Sequence, residues 1–254
     1  MAHYRDAVTN YDLLNLGDFE FQCGVVLTDT KLAYRTYGEL NPEGSNAILI
    51  AVPVNGTHQD AASIHIDGEN RAISPEKHFV IIPDMFGNGL SSSPSNTPSP
   101  FDGVDFPSVT IYDNVRAQHR LVTEELGISK LKLVTGFSMG GLQSFHWAAM
   151  YPDMVENFVP ICGSAKCSGH NWLFLESLAA ALEADSVFDS GRYTEYPEAG
   201  MNAFCAIYAA WAFSQEFFRQ EGFKNLGLES HKEMGSVLAQ VFVPQDPNDL
   251  LVRT

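Results

Sequence analysis

A Gly-Phe-Ser-Met-Gly segment at positions 136–140 has residue types and a spacing suited to covalent chemistry. A serine on a tight turn can project its hydroxyl as a nucleophile, where flanking glycines leave room for neighbouring backbone and tolerate strained dihedrals. The segment follows an apolar strand-like run, Leu131–Thr135, and precedes a helical pattern at 141–150. This strand, turn and helix context predicts that Ser138 is a catalytic nucleophile and more than a serine that caps a helix.

A serine that attacks a carbonyl group also needs N–H donors for the oxyanion that develops. We expect the backbone N–H of Met139 as one donor, because it opens a helix whose dipole favours negative charge. We expect the backbone N–H of Val54, in the loop at 52–58, as the second, with an ordinary strand-to-helix turn as an equal alternative. For His58 we expect an exposed loop position, with the mouth of the site as the alternative.

When the serine lies on a strand-to-helix turn of this kind, the acid and then the histidine of its triad should follow it in the chain. The histidines after the nucleophile are His146, His170 and His231. None has the expected place, and Asp246 and Asp249 come after His231 instead of before it. The sequence predicts an incomplete triad, with His231 an ordinary solvated residue.

The elements that would position these residues are short apolar runs separated by helical patterns. Continuous apolar runs favour parallel strands that are covered on both faces. The predicted strands are Phe19–Leu27, Lys31–Tyr37, Ala47–Val52, Phe79–Pro83, Leu131–Thr135 and Asn157–Ile161. A helix is predicted over Ile111–Leu126, capped by Thr110 and ended by Gly127, after a long loop at 87–107. Loops at the carboxyl ends of parallel strands usually build the site.

The strand pattern fades beyond Asn171, where three helices are predicted instead. They are Leu173–Leu182, Met201–Phe218 and Lys232–Val241. We therefore expect an α/β core over 1–170 and a helical cap over 171–254.

Composition excludes several classes of function. The 254 residues carry a formal charge of −16, which argues against a nucleic-acid partner. No apolar run is long enough to cross a bilayer and no secretory leader is visible, so we expect a cytoplasmic protein without a membrane partner. A degenerate peroxisomal address stays open. The four cysteines show no paired spacing, which argues against a disulfide framework or a zinc site. The predicted chemistry implies neither a metal nor an organic cofactor.

The sequence resembles the homoserine O-acetyltransferase-like group of the α/β-hydrolase superfamily over about residues 30–220. The matching strings stand at 105–107, 110–118, 136–141 and 197–200. The resemblance implies an eight-stranded hydrolase core with a helical cap, and acyl transfer from an acyl-CoA through an acyl-serine. It places Ser138 at the family's nucleophile, and Val54 and Met139 at its oxyanion positions.

Two departures from that group concern the substrate. The arginine that the resemblance implies for a substrate carboxylate falls at Cys205, and the loop at 52–56 reads Val-Pro-Val-Asn-Gly where the acetyltransferases have His-Ala-Leu-Thr-Gly. We expect a pocket with Cys205 and Tyr208 that prefers neutral acyl groups, with a buried core cysteine as the alternative. The chain resembles a divergent hydrolase-like branch, of which some members act in fungal secondary metabolism.

Together these features predict an α/β-hydrolase fold with a mostly parallel sheet that lacks its last strands. The exposed sheet edge should then be covered by the cap or by a second copy in a homodimer. The expected function is serine acyl chemistry on a small-molecule ester or thioester, by hydrolysis or by transfer, with acyl-CoA a substrate by resemblance only. The alternatives are a catalytically degenerate binding protein and a shortened homoserine O-acetyltransferase.

Overall fold

The computed structural model describes residues 8–54 and 56–252, which divide into two compact units. Residues 8–166 form a unit around a β-sheet, and residues 167–252 form a unit of helices. Each unit has its own buried apolar clusters.

The sheet of the first unit has six strands. They are β1 (Asp12–Glu20), β2 (Val26–Tyr37), β3 (Ala47–Ala51), β4 (Phe79–Pro83), β5 (Leu133–Phe137) and β6 (Phe158–Ile161). Their order across the sheet is β1-β2-β4-β3-β5-β6. β2 pairs antiparallel with β1 and β4, and all other pairs are parallel. The predicted mostly parallel sheet is confirmed.

The first predicted strand, Phe19–Leu27, is wrong. Its residues span the hairpin between β1 and β2, where the Phe21 N–H donates to the Val25 oxygen at 2.9 Å. Gly24 reverses the chain with a φ of +86°. Phe19 and Phe21 are both buried, so the apolar pattern continues although the backbone turns.

The middle strands β3 and β4 are almost wholly buried, as their continuous apolar residues require. The carboxyl ends of parallel strands meet at one edge of a sheet, so the residues that follow them gather there. Val52 follows β3, Asp84 follows β4, Ser138 follows β5 and Cys162 follows β6. This edge is the place where the structure brings polar side chains together.

Three helices belong to the first unit: α1 (His58–His65), α2 (Ile111–Arg120) and α3 (Met139–Met150). Thr110 caps α2 as predicted, because its hydroxyl oxygen accepts from the Asp113 N–H at 3.3 Å and its own N–H donates to the Asp113 carboxylate at 3.0 Å. A π-helical turn, Leu121–Glu125, continues α2, and Gly127 follows with a φ of +65°. The predicted helix at 111–126 is confirmed, with a widened last turn.

The predicted loop at 87–107 is confirmed apart from a short 3-10 turn at 103–105. Its serines hydrogen-bond the neighbouring strand. The Ser91 hydroxyl oxygen accepts from the Ala33 N–H at 2.9 Å, and that of Ser92 accepts from the Lys31 N–H at 2.9 Å. The loop therefore stays ordered without helix or strand, because side chains replace the missing backbone partners.

β6 forms one edge of the sheet, and no strand follows it within the described residues. Phe158, Val159 and Ile161 are 41%, 49% and 38% exposed. Edge strands usually carry charges or proline to prevent pairing with another chain, and here Pro160 alone has that role. The expected homodimer through this edge stays a prediction.

The second unit contains five helices within residues 167–252. They are α4 (Gly169–Glu183), α5 (Glu198–Ala212), α6 (Gln215–Arg219), α7 (Met234–Phe242) and α8 (Pro247–Leu251). The single helix predicted over 201–218 is wrong, because Phe213 is extended and the Ser214 hydroxyl caps a new helix by accepting from the Phe217 N–H at 3.2 Å. In the described parts of both units, every helix is too short or too polar to cross a membrane.

Candidate active site

Ser138 lies on the turn between β5 and α3, with φ 57° and ψ −118°. A non-glycine residue in such a sparsely populated conformation costs about 1–3 kcal/mol, and persists only when its surroundings hold it. Here the Ser138 N–H donates to the Ile161 oxygen at 2.9 Å, and the Ser138 carbonyl accepts from the Gly141 N–H at 2.8 Å. The hydroxyl makes no capping hydrogen bond to α3. The turn thus presents the hydroxyl without using it, as a nucleophile requires.

The glycines of this turn are required for space and not for their dihedrals. A β-carbon on Gly136 would lie 2.5 Å from the Gly140 carbonyl carbon, and one on Gly140 would lie 2.2 Å from the Ala51 oxygen. Their φ angles lie outside the left-handed region, so the expected tolerance of strain is not the reason for them. The strain is at Ser138 itself. Gly163, which the sequence analysis missed, fits closely against the start of α3 in the same way.

Met139 is the first residue of α3. The N–H groups of a first helical turn have no acceptor inside the helix, and they lie at the positive end of its dipole. The Met139 side chain packs on the apolar cluster that contains Val52 and Met85. This packing fixes the backbone next to Ser138, and the role of Met139 as an oxyanion donor stays a prediction.

The loop after β3 forms a compact turn in which the Gly56 N–H donates to the Pro53 oxygen at 3.0 Å. Val54 is buried within it. Thr57 ends the loop with a capping box that starts α1, since its N–H and hydroxyl both donate to Asp60. The structure therefore places Val54 in a constrained turn that leaves β3 at the site edge, and its role as a second donor stays a prediction.

His58 is the first residue of α1 and is 1% exposed, so the expected exposed loop histidine is wrong. Its Nδ1 lies 2.7 Å from one Asp84 carboxylate oxygen, and its N–H donates to the other at 2.9 Å. The Asn88 side chain also donates to Asp84, at 2.9 Å. This pair was not predicted from the sequence, although Asp84 directly follows a buried strand and His58 directly follows a helix cap.

A second buried network, also missed, surrounds Gln143 on α3. The Gln143 side-chain nitrogen donates to the Val52 oxygen at 3.0 Å, and its oxygen accepts from Gln118 at 2.6 Å. Gln118 in turn accepts from the Trp147 indole N–H at 2.8 Å. All three side chains are fully buried. They link α2, α3 and the carboxyl end of β3, and so hold one end of the Val54 loop against the nucleophile helix.

Gln143→Met should lower stability, because methionine keeps the volume but leaves the Gln118 donor and the Val52 oxygen without their partners. Each buried polar group left unpaired costs about 1–3 kcal/mol. We expect the free energy of unfolding to fall by about 2–4 kcal/mol, which urea titration measures as a lower unfolding midpoint. Gln240→Met, at an exposed position of α7, should change stability by less than about 0.5 kcal/mol. Equal midpoints for the two variants would contradict the network.

The histidines after Ser138 have other contacts. His146 Nδ1 lies 3.3 Å from the Leu142 oxygen, the His170 ring lies 4.4 Å from the Trp211 ring, and His231 is exposed. Among the described residues, His58 is the histidine that lies within ion-pair distance of a carboxylate, and it precedes Ser138 in the chain. In the same part of the chain, no three His, Cys, Asp or Glu side chains gather as metal ligands.

Cys205 and Tyr208 lie on α5 in the helical unit. Cys205 is 1% exposed and belongs to the buried apolar cluster of that unit. Burial raises the pKa of its thiol to about 11, so the thiol stays protonated near neutral pH and behaves as a small apolar group. The Tyr208 ring is half-buried, 4.6 Å from the Phe242 ring. A contact of either residue with substrate stays a prediction.

Sequence comparisons agree with this geometry. A family model for the alpha/beta hydrolase fold matches residues 61–200. A probable esterase of Corynebacterium glutamicum is 40% identical over 95% of this chain and 70% of its own length. An ethyl acetate hydrolase of Pseudomonas veronii is 39% identical over 95% of this chain and 70% of its own length. A homoserine O-acetyltransferase of Zymomonas mobilis is 39% identical, over 70% of this chain and 52% of its own length.

Solved structures point the same way. The acetyl esterase MekB superimposes with a TM-score of 0.94 at 38% identity, covering 98% of this chain and 73% of that one. An acetylester hydrolase from Corynebacterium glutamicum superimposes with a TM-score of 0.91 at 40% identity, covering 96% of this chain and 71% of that one. These relatives support serine-centred hydrolysis or acyl transfer on esters as the chemistry. The chain belongs to the alpha/beta hydrolase family, in a group whose members include esterases and homoserine O-acetyltransferases.

Proposed function

We propose that the chain hydrolyses small neutral acyl esters through an acyl-serine at Ser138. The hydroxyl oxygen attacks the ester carbonyl carbon, the bond to the alcohol oxygen breaks, and the serine proton leaves on that alcohol. Water then cleaves the acyl-serine bond, which releases the acid and restores the hydroxyl. The backbone conformation of Ser138 carries the proposal, because a strained turn that leaves the hydroxyl out of the helix cap has no structural use for a serine. Met139 and Val54 supply the oxyanion donors in this proposal.

Hydrolysis is preferred to transfer because of how the relatives cover the chain. The two esterases align over 95% of it and the acetyltransferase over 70%. The substrate class follows from Cys205, which stands where the resemblance implies a carboxylate-binding arginine. A protonated thiol cannot form a bidentate pair with a substrate carboxylate. A substrate role for Cys205 and Tyr208, which both belong to the helical unit, is part of this proposal.

The proton of the Ser138 hydroxyl needs an acceptor. Within the described residues, the histidines after Ser138 form no ion pair with a carboxylate. The base can come from the helical unit, from a partner chain or from a longer form of the protein. Loss of a triad base lowers kcat by about 10³–10⁶-fold and leaves some activity. The same observation favours one other candidate function, a catalytically silent binding protein.

A substrate panel tests the proposal. We expect release of acid from p-nitrophenyl acetate and ethyl acetate at rates above those of Ser138→Ala, and no O-acetylhomoserine from acetyl-CoA and homoserine. A lost charge-assisted carboxylate contact is worth about 1.5–3 kcal/mol, or roughly one to two powers of ten in affinity. Formation of O-acetylhomoserine faster than ester hydrolysis would show that the Cys205 argument is wrong. Folded protein without any turnover would favour the binding protein.

A further inference from the structure

The buried pair of His58 and Asp84 lies at the same sheet edge as Ser138, but behind a different strand. Asp84 follows β4 and Ser138 follows β5, and β3 runs between those strands. Strands lie about 4.8 Å apart, so β4 and β5 are about 10 Å apart. The element that lies between the pair and the nucleophile is the loop that leaves β3, which contains Val54. The placement suits an action through this loop and not on the substrate.

The contacts of Asp84 define the hydrogen positions in the pair. An ionised carboxylate only accepts hydrogen bonds, so the His58 ring nitrogen 2.7 Å away must carry a proton. The backbone N–H of His58 and the Asn88 amide fill the other carboxylate oxygen. The other ring nitrogen, Nε2, is a buried atom with no hydrogen-bond partner among the described residues. An asparagine at 58 would bind Asp84 without this unpaired atom, which makes the two nitrogens separable by mutation.

We propose that His58, held by Asp84, is a positioning residue that fixes the Val54 loop for oxyanion stabilisation; the inference rests on the proposed function. The loop is held at one end by Gln143, which donates to the Val52 oxygen at 3.0 Å. At the other end His58 binds Asp84 through both its backbone and its ring. The turn between these ends is short, so release of either end shifts the Val54 N–H. A shift of about 1 Å, or loss of an oxyanion donor, lowers kcat about 10²–10³-fold.

Two substitutions separate the ring nitrogens. His58→Asn places an amide nitrogen where Nδ1 lies and removes Nε2, whereas His58→Gln places an amide nitrogen where Nε2 lies and removes the Nδ1 contact. We expect His58→Gln to lower kcat for p-nitrophenyl acetate about 10²-fold, with KM changed less than about threefold. We expect His58→Asn to keep kcat within about fivefold of the wild type. The opposite pattern would overturn the proposal, because it would assign the function to Nε2.

Hydrogen exchange measured by mass spectrometry gives a readout that does not depend on turnover. The backbone amides of Val54, Gly56 and Thr57 should exchange faster in His58→Gln than in the wild type, and at the wild-type rate in His58→Asn. If His58→Gln does not fold, Asp84→Asn replaces it. Either orientation of the new amide sets its nitrogen against an N–H donor of His58, so this variant should give the same loss of kcat.

The two hypotheses fail in different ways. Wild-type turnover no greater than that of Ser138→Ala overturns the proposed function before any His58 variant is needed. An active wild type with unchanged kcat and loop exchange in His58→Gln overturns the positioning role alone.

Discussion

Ser138→Ala should not react with a fluorophosphonate probe, and its ester turnover should be at least about 10³-fold below that of the wild type. Such probes react with a hydroxyl that is held exposed next to N–H donors and is made nucleophilic. The turn at Ser138 supplies the first condition, since its φ of 57° turns the residue out of the helix and its hydroxyl caps nothing. In the wild type, intact-mass spectrometry should show one adduct per chain, and peptide mapping should assign that adduct to Ser138.

Ser164→Ala is the matched control, because Ser164 is an exposed serine that follows β6 at the same end of the sheet. It should label and turn over substrate as the wild type does. Labelling that persists in Ser138→Ala would refute the nucleophile.

The turn at Ser138 could be predicted because its determinants are local. A strand, a serine between glycines and a helix lie within about twenty residues, and the cap of α2 by Thr110 and Asp113 is equally local. The need for glycines at 136 and 140 was predicted correctly, but only one of the two reasons, space for neighbouring backbone, is right. The need for space at Gly140 comes from the Ala51 oxygen of β3, far away in sequence.

The buried polar pairs could not be predicted in the same way. His58 and Asp84 are 26 residues apart, and Gln118 and Gln143 are 25 apart. Each pair forms only because the order of the strands sets β4 beside β3 and packs α2 beside α3. Periodicity reports which face of an element is buried, and it does not report which element lies against that face.

The two wrong elements have a shared cause as well. The hairpin within the predicted strand Phe19–Leu27 and the break within the helix predicted over 201–218 both occur inside apolar runs. A glycine at 24 and a serine at 214 decide the backbone there, through a positive φ and a helix cap. At both positions a single residue therefore determined the backbone conformation, against the hydrophobic pattern around it.

Gly140→Ala should be among the most destabilising single substitutions in the first unit. The new β-carbon would lie 2.2 Å from the Ala51 oxygen and 3.0 Å from its carbonyl carbon, and both are backbone atoms of a buried strand. Overpacking costs about 1–3 kcal/mol when side chains can move, and more when they cannot. We expect a loss of at least about 3 kcal/mol, seen as a thermal midpoint roughly 6–12 °C lower.

Gly169→Ala provides the comparison, because Gly169 opens α4 and a β-carbon there meets no atom within 4 Å. Alanine favours helix formation over glycine, so the midpoint should stay constant or rise slightly. Fluorophosphonate labelling of Gly140→Ala, measured well below its midpoint, should also fall, because the added carbon separates the turn from β3 and displaces Ser138 and Met139 together. If Gly140→Ala has the same thermal midpoint as the wild type, the turn does not lie against β3. The arrangement of Ser138 and the Val54 loop that follows from this contact would then be wrong.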